Sequence, residues 1–176
     1  MKKLIHVVLT MVAASSCLSV MAENAYYASF DIGRNDWRDA GETVTEPTIA
    51  VGYQINDNFS VELGFQDFGE LKYGKDDAMH VEADAIQVSL IGGGLVSDTI
   101  GLFAQVGLDI WNLSHTEEAY VIDQNDLFYG AGAFYRASEN LNINLKFQFH
   151  ELDWGAGSDG DSHEVNTISL GGKYTF

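Results

Sequence analysis

A chain of 176 residues with 46% hydrophobic residues, 18 Gly and a single Pro is sized for one domain and too apolar to be disordered. Its 26 acidic residues face only 9 basic ones, a net charge of -17, which is the wrong sign for a nucleic-acid binder. After residue 22 no apolar run approaches the roughly 20 residues that a membrane helix needs.

The N-terminus reads as an export signal. Met1-Lys2-Lys3 supplies positive charge, Leu4 to Ala14 is mostly apolar, and Val20-Met21-Ala22 presents a cleavage site after Ala22. Residues 1–22 are therefore expected to be a signal peptide and residues 23–176 the mature domain, exported by the Sec route. A lipoprotein reading of Cys17 is disfavoured, because Ala14-Ser15-Ser16 lacks the usual leucine three residues before the cysteine. Cleavage after Ala22 leaves a mature chain without cysteine.

From Tyr26 onward the dominant signal is a period of two, the mark of strands with two unlike faces. One face reads Tyr26 to Ile32, Ile49 to Tyr53, Phe59 to Phe65 and Ile86 to Leu90 at alternate positions. It continues with Ile100 to Ile110, Leu127 to Tyr135, Leu141 to Phe149 and Ile168 to Phe176. None of these positions is charged, in a chain that is 20% charged overall. The other face is small, polar or mixed, as in Ser60-x-Glu62-x-Gly64-x-Gln66 and Asn142-x-Asn144-x-Lys146-x-Gln148-x-His150.

Alternation alone does not say which face points inward. The connections and termini decide. Ile55–Asn58, Gly92–Asp98 and Ala137–Asn140 are short, and Gly92-Gly93-Gly94 reads as part of a turn. Residues 34–47, 67–84, 112–126 and 151–164 read as long loops. Three tight turns and four long loops predict an all-β fold, an eight-stranded antiparallel up-and-down transmembrane β-barrel with its long loops outside the cell. The end of the chain, Ile168-x-Leu170-x-Gly172-x-Tyr174-x-Phe176, resembles the signature read by the outer-membrane insertion machinery, with Tyr174 and Phe176 as its aromatic positions.

The stretches Gly52–Glu70, Ala85–Trp111 and Gly132–Phe149 resemble the OmpA-like outer-membrane transmembrane β-barrel family. The resemblance runs from about Tyr26 to Phe176 and implies a small barrel in the Gram-negative outer membrane, without the periplasmic domain that the family often adds. Glu62 resembles the central glutamate of the family's lumenal salt-bridge network. The positions of the family's core arginine, lysine and second glutamate are Asn144, Ile91 and Phe134 here, a departure from that network.

Inward-facing charges form an expected lumen polar network of Asp31, Glu62 and Asp109 against Arg136, Lys146 and Lys173, with a neutral sum. Tyr27, Phe103, Trp111, Phe128 and Phe134 share that face. Eight strands enclose only enough room for side chains, so a filled interior with at most small water pockets is expected. Acidic residues outnumber basic ones in every long loop. Expected partners are outer-membrane lipid and lipopolysaccharide, the insertion machinery, and divalent cations at acidic loops, the run Asp153–Glu164 being the best candidate.

Pairs that invite a catalytic reading are Ser114 with His115, His150 with Glu151, and Ser162 with His163 and Glu164. None has the His-x-Ser motif associated with barrel lipid-A deacylases. The expected function is a structural and surface-interaction role, with no catalytic residue, no cofactor and no resident metal. The alternatives are a narrow porin-like channel or hydrophobic-compound conduit, and a lipid-modifying enzyme.

Overall fold

The computed structural model describes residues 26–38, 42–73, 79–115, 121–154 and 161–176. At 42, 70–73, 79–82, 112–115, 121–124, 152–154 and 161–163 it describes backbone alone. The expected signal peptide and its cleavage site lie outside these residues.

Eight antiparallel strands pair in chain order and close on themselves. They are β1 (Tyr26–Trp37), β2 (Glu42–Gln54), β3 (Phe59–Tyr73), β4 (Met79–Leu95), β5 (Ile100–His115), β6 (Val121–Arg136), β7 (Leu141–Trp154) and β8 (Asp161–Thr175). Closure is made by β1 and β8, paired from Tyr27↔Thr175 to Trp37↔Val165. The Phe176 N–H adds a bond to the Tyr26 carbonyl at 3.0 Å. A membrane-spanning sheet must close this way, because hydrocarbon offers no partner to a free strand edge.

The barrel is inside out relative to a water-soluble one. Leu63, Leu102 and Leu145 point outward and are 46%, 52% and 50% exposed. Glu62 and Lys146 point inward and are 9% and 6% exposed. A Leu-sized side chain left in water forfeits roughly 1.5–3 kcal/mol of transfer free energy, so this exterior is stable only against hydrocarbon. Aromatic pairs mark its two borders, Tyr26 with Tyr53 and Tyr174 with Phe176 at the short-turn end, and Tyr129 with Phe149 nearer the other.

Two expectations about connections are corrected. The long loops are mostly ladder: β3 and β4 pair out to Tyr73↔Met79, and β7 and β8 out to Trp154↔Asp161. The strands run 12 to 17 residues, while about 9–11 cross a bilayer. Toward the rim the outward face turns polar, as at Arg34, Asp36, Asn125, Glu151 and Glu164, so hydrophobic alternation disappears although the backbone pairing continues. The run Gly92-Gly93-Gly94 is strand, not turn, paired with Ala104, Phe103 and Leu102. A Cβ on Gly93 would strike the Phe103 backbone, so glycine lets the two strands approach.

The ladder also has gaps. Among the described residues β2 and β3 pair only from Gln54↔Ser60 to Thr48↔Gln66, and β6 and β7 only from Arg136↔Asn142 to Phe128↔His150. Above those levels the wall parts into two four-stranded sheets, β7-β8-β1-β2 and β3-β4-β5-β6. The first seam coincides with two ladder breakers. Pro47, the chain's single proline, has no N–H to donate. Opposite it Phe68 is the extra residue of a β-bulge between Asp67 and Gly69, and Gly69 has φ +86°. Asn35 Nδ2 donates to the Asp67 carbonyl at 3.2 Å and Trp37 Nε1 to the Phe68 carbonyl at 3.3 Å. Side chains of β1 thus supply donors to β3 where β2 has left it.

Because Leu145 faces lipid midway along β7, Leu145→Arg is expected to destabilise the folded barrel by about 2–4 kcal/mol. Urea unfolding in lipid vesicles measures this; an unchanged midpoint would mean that this wall does not face hydrocarbon.

Candidate functional site

The lumen is built from a recurring cross-strand pair, a bulky side chain lying over a glycine. Tyr27 pairs with Gly52, Asp31 with Gly171, Phe103 with Gly132, Phe134 with Gly101, and Phe128 with Gly107. In every case a Cβ on the glycine would collide with that partner's side chain. Glycine lets the rings lie flat against the wall instead of crossing the axis. Four zones stack along the lumen as a result.

The first is a vestibule of about 510 Å³ at the short-turn end, lined by Ser29, Glu62, Ile91, Phe103, Phe134 and Lys173 among others. This corrects the expectation of small water pockets. The inward aromatics counted as filler are pressed onto glycines, and volume is left along the axis.

The second zone is charged. Lys146 Nζ stands 2.6 Å from Asp31 Oδ2, and both side chains are buried. Asn144 Nδ2 donates to Asp31 Oδ1 at 2.5 Å. Lys173 Nζ lies 4.6 Å from the centre of the Tyr27 ring, and the Tyr27 hydroxyl donates to Ser60 Oγ at 3.3 Å. Of the six expected network residues, Asp31, Glu62, Lys146 and Lys173 meet here. Arg136 is exposed at the vestibule's mouth, and Asp109 belongs to the zone above.

That third zone is a belt of amides. Gln87 Nε2 donates both to Asp109 Oδ1 at 2.9 Å and to Gln66 Oε1 at 2.8 Å. Thr167 Oγ1 donates to Asn35 Oδ1 at 2.8 Å, and Gln105 Nε2 to Ser89 Oγ at 2.8 Å. His150 Nδ1 meets Asp109 Oδ2 at 2.6 Å. His150 therefore pairs with Asp109 across the lumen and not with Glu151, whose side chain is exposed. Sequence reading did not find this pair, because the partners lie on β5 and β7 with β6 between them. The belt did leave a signal: Gln66, Gln87, Gln105 and Gln148 all fall on inward positions of the period-two pattern.

The fourth zone is an aromatic lid. Trp37, Phe68, Trp111, Phe128 and His150 are all buried. The His150 ring stacks on Phe128 at 5.2 Å and meets Phe68 edge-on at 5.1 Å. The Trp37 and Phe68 rings are 6.2 Å apart, and Trp111 Nε1 donates to Asp126 Oδ2 at 2.5 Å. The bulge in β3 aims Phe68 into this lid. At the rim Arg38 and Glu164 form an exposed ion pair at 2.7 Å that ties β1 to β8.

The side chains of Ser114, His115, Ser162 and His163, and most of the run Asp153–Glu164, lie outside the described residues. Among the described residues no group of three or more His, Cys, Asp or Glu side chains is placed to hold a metal ion. Tyr174 points outward at the barrel's edge, and Phe176 packs its ring at 5.5 Å from it.

Removing Lys146 alone would strand the buried Asp31 carboxylate. Lys146→Met is expected to cost about 3–5 kcal/mol of folding stability, and Asp31→Asn with Lys146→Met to recover most of it. Unfolding in urea checks this; equal losses in the single and double variants would show that the pair is not coupled.

Residues 7–176 match the family model described as "Outer membrane protein beta-barrel domain". Solved structures with the same fold include Neisserial surface protein A (NspA), at TM-score 0.66 and 16% identity over 86% of this chain and 97% of that one. OprG from Pseudomonas aeruginosa is similar at TM-score 0.61 and 13% identity over 88% and 97%. Ail, the attachment invasion locus protein of Yersinia pestis, solved with the heparin analogue sucrose octasulfate, follows at TM-score 0.57 and 15% identity over 87% and 97%. No curated protein matches by sequence. With a closed ladder, an apolar exterior and a family match over nearly its whole length, the chain belongs to the outer-membrane β-barrel family and resides in the Gram-negative outer membrane.

Proposed function

We propose that this outer-membrane barrel serves as a structural and surface-interaction protein whose lumen is shut to passing solutes. The observation that carries this reading is the aromatic lid: Trp37, Phe68, Trp111, Phe128 and His150 are each at most 2% exposed, and they occupy the lumen's outer half. The strands continue past the bilayer as paired ladders, which gives the outer rim a stiff backbone on which to present side chains.

The rim favours cationic partners. The chain carries a net charge of -17, and Glu46, Asp67, Asp84, Asp126, Glu151 and Glu164 sit on the outer halves of the strands. The Ail structure holds a sulfated polyanion, a ligand that this acidic rim would repel. Lipopolysaccharide phosphates would be approached through bridging divalent cations, which prefer carboxylate oxygens. Outer-membrane lipid surrounds the apolar wall, and Tyr174 and Phe176 present the C-terminal strand to the insertion machinery. In this reading the chain catalyses no reaction. Support comes from the His150–Asp109 pair, which is packed between aromatic rings with His150 Nε2 bonded to no described hydroxyl.

Planar-bilayer recording tests the closed lumen. Wild-type protein is expected to give no large, stable conductance steps, and Trp37→Ala with Phe68→Ala to produce them. Large, stable steps from the wild type would establish a channel instead. Addition of calcium is expected to strengthen binding of the barrel to lipopolysaccharide-containing vesicles, and a chelator to reverse it; binding that ignores both would remove cation bridging from the reading.

A further inference from the structure

We propose that the cationic partner favoured by the acidic rim, a reading on which this inference rests, is an extended basic peptide that adds a strand to the edge of β6. The two strands β6 and β7 leave each other at Phe128↔His150, yet β6 runs on to Val121 and β7 to Trp154. Each keeps its other neighbour: β5 holds β6 as far as Ser114↔Val121, and β8 holds β7 as far as Trp154↔Asp161. Residues Val121–Leu127 are therefore an extended edge to which β7 is not paired among the described residues. Every second residue of an antiparallel strand turns its N–H and C=O to the same side, so this edge offers about three such pairs. Because β5 already fixes the edge, a peptide pairing with it has only its own chain to order. Asn125 and, across the seam, Glu151 are exposed just beyond the stacked rings of Tyr129 and Phe149, so a partner reaches the edge from water.

The seam between β2 and β3 does not offer the same surface. Pro47 has no N–H to give, and the Asp67 and Phe68 carbonyls already accept from Asn35 and Trp37. The Gly69 N–H donates to Asp67 Oδ1 at 2.8 Å, and Val44 lies directly over Gly69. Proline and bulges are devices by which natural sheets blunt their edges. From 121 to 127 β6 has no proline, and its register with β5 runs without a shift.

Charge selects the occupant. The spans 121–127 and 151–154 contain Asp123, Asp126, Glu151 and Asp153 and no Lys, Arg or His. A second copy of this chain would bring the same carboxylates against these and be repelled, since like charges on paired strands destabilise the pairing. A strand carrying Lys or Arg at alternate positions gains attraction on top of its backbone bonds.

The test uses the barrel in lipid nanodiscs, with amide hydrogen exchange as the readout. Three short peptides are compared: one alternating lysine with threonine and valine, the same peptide N-methylated along one edge, and one with glutamate in place of lysine. The lysine peptide is expected to bind saturably and to slow exchange within 121–127 at least about tenfold, leaving the β2 edge at 43–46 unchanged. The N-methylated peptide keeps the charge and loses the backbone bonds, and should bind at least about tenfold more weakly. The glutamate peptide should not bind. Glu151→Lys, at an exposed position beside the seam, should weaken the lysine peptide about two- to fivefold. Equal binding by the N-methylated peptide, or protection confined to residues other than 121–127, would overturn the strand site and leave the rim's preference for cations standing. Undiminished binding to Glu151→Lys, or glutamate binding as tight as lysine, would overturn the charge selection. Failure of all three peptides to bind would overturn the strand site, and the calcium dependence of vesicle binding would then decide the rim reading by itself.

Discussion

The structure rests on one demand of hydrocarbon: every backbone N–H and C=O within the bilayer must find a partner inside the protein. The β1–β8 pairing, from Tyr27↔Thr175 to Trp37↔Val165, meets that demand by removing the last free edge. The apolar coat is the second half of the same demand, since lipid rewards Leu63, Leu102 and Leu145 where water would penalise them. What remains for the interior is then polar by elimination, and an interior that is polar and narrow has to satisfy itself.

It does so in ways that a single salt-bridge network does not capture. The departure from the family pattern at Asn144, Ile91 and Phe134 is met by a different arrangement. Asp31 takes Lys146 as its counter-ion, and Asn144 completes the carboxylate's hydrogen bonding. Asp109 takes His150 and Gln87. Burying charge is tolerated because each of these two acids has a partner within hydrogen-bond distance. Glycine makes the geometry feasible, because Gly171 gives the Asp31 carboxylate its place and Gly132 and Gly101 give Phe103 and Phe134 theirs.

The two ends of the lumen differ for the same reason. Near the short turns the rings lie flat on glycines and a vestibule is left. Near the rim the β3 bulge, the departure of β2 at Pro47 and the inward turn of Phe68 bring that ring together with Trp37, His150 and Phe128. Trp37 and Asn35 show how the wall survives the seam, since their side chains donate to carbonyls that no β2 backbone reaches. Among the described residues, space is left at the short-turn end and rings are packed together toward the rim.

The strands, their number, their order and the outward face were legible in the sequence, because alternation at Phe59 to Phe65 or Leu141 to Phe149 is a local, one-dimensional pattern. The compartment was legible too, from Lys2-Lys3 and the apolar run at one end and Tyr174-x-Phe176 at the other. The partners were not. His150 and Asp109 meet across the lumen, Arg136 stays at the mouth away from Asp31 and Glu62, and Phe103 leaves space although it points inward. These outcomes depend on strand register and on which glycine lies opposite which ring, and register is set only when all eight strands close together. Lateral distances across a cylinder are absent from a linear pattern, so the chain alone decided what faces inward and closure decided what touches.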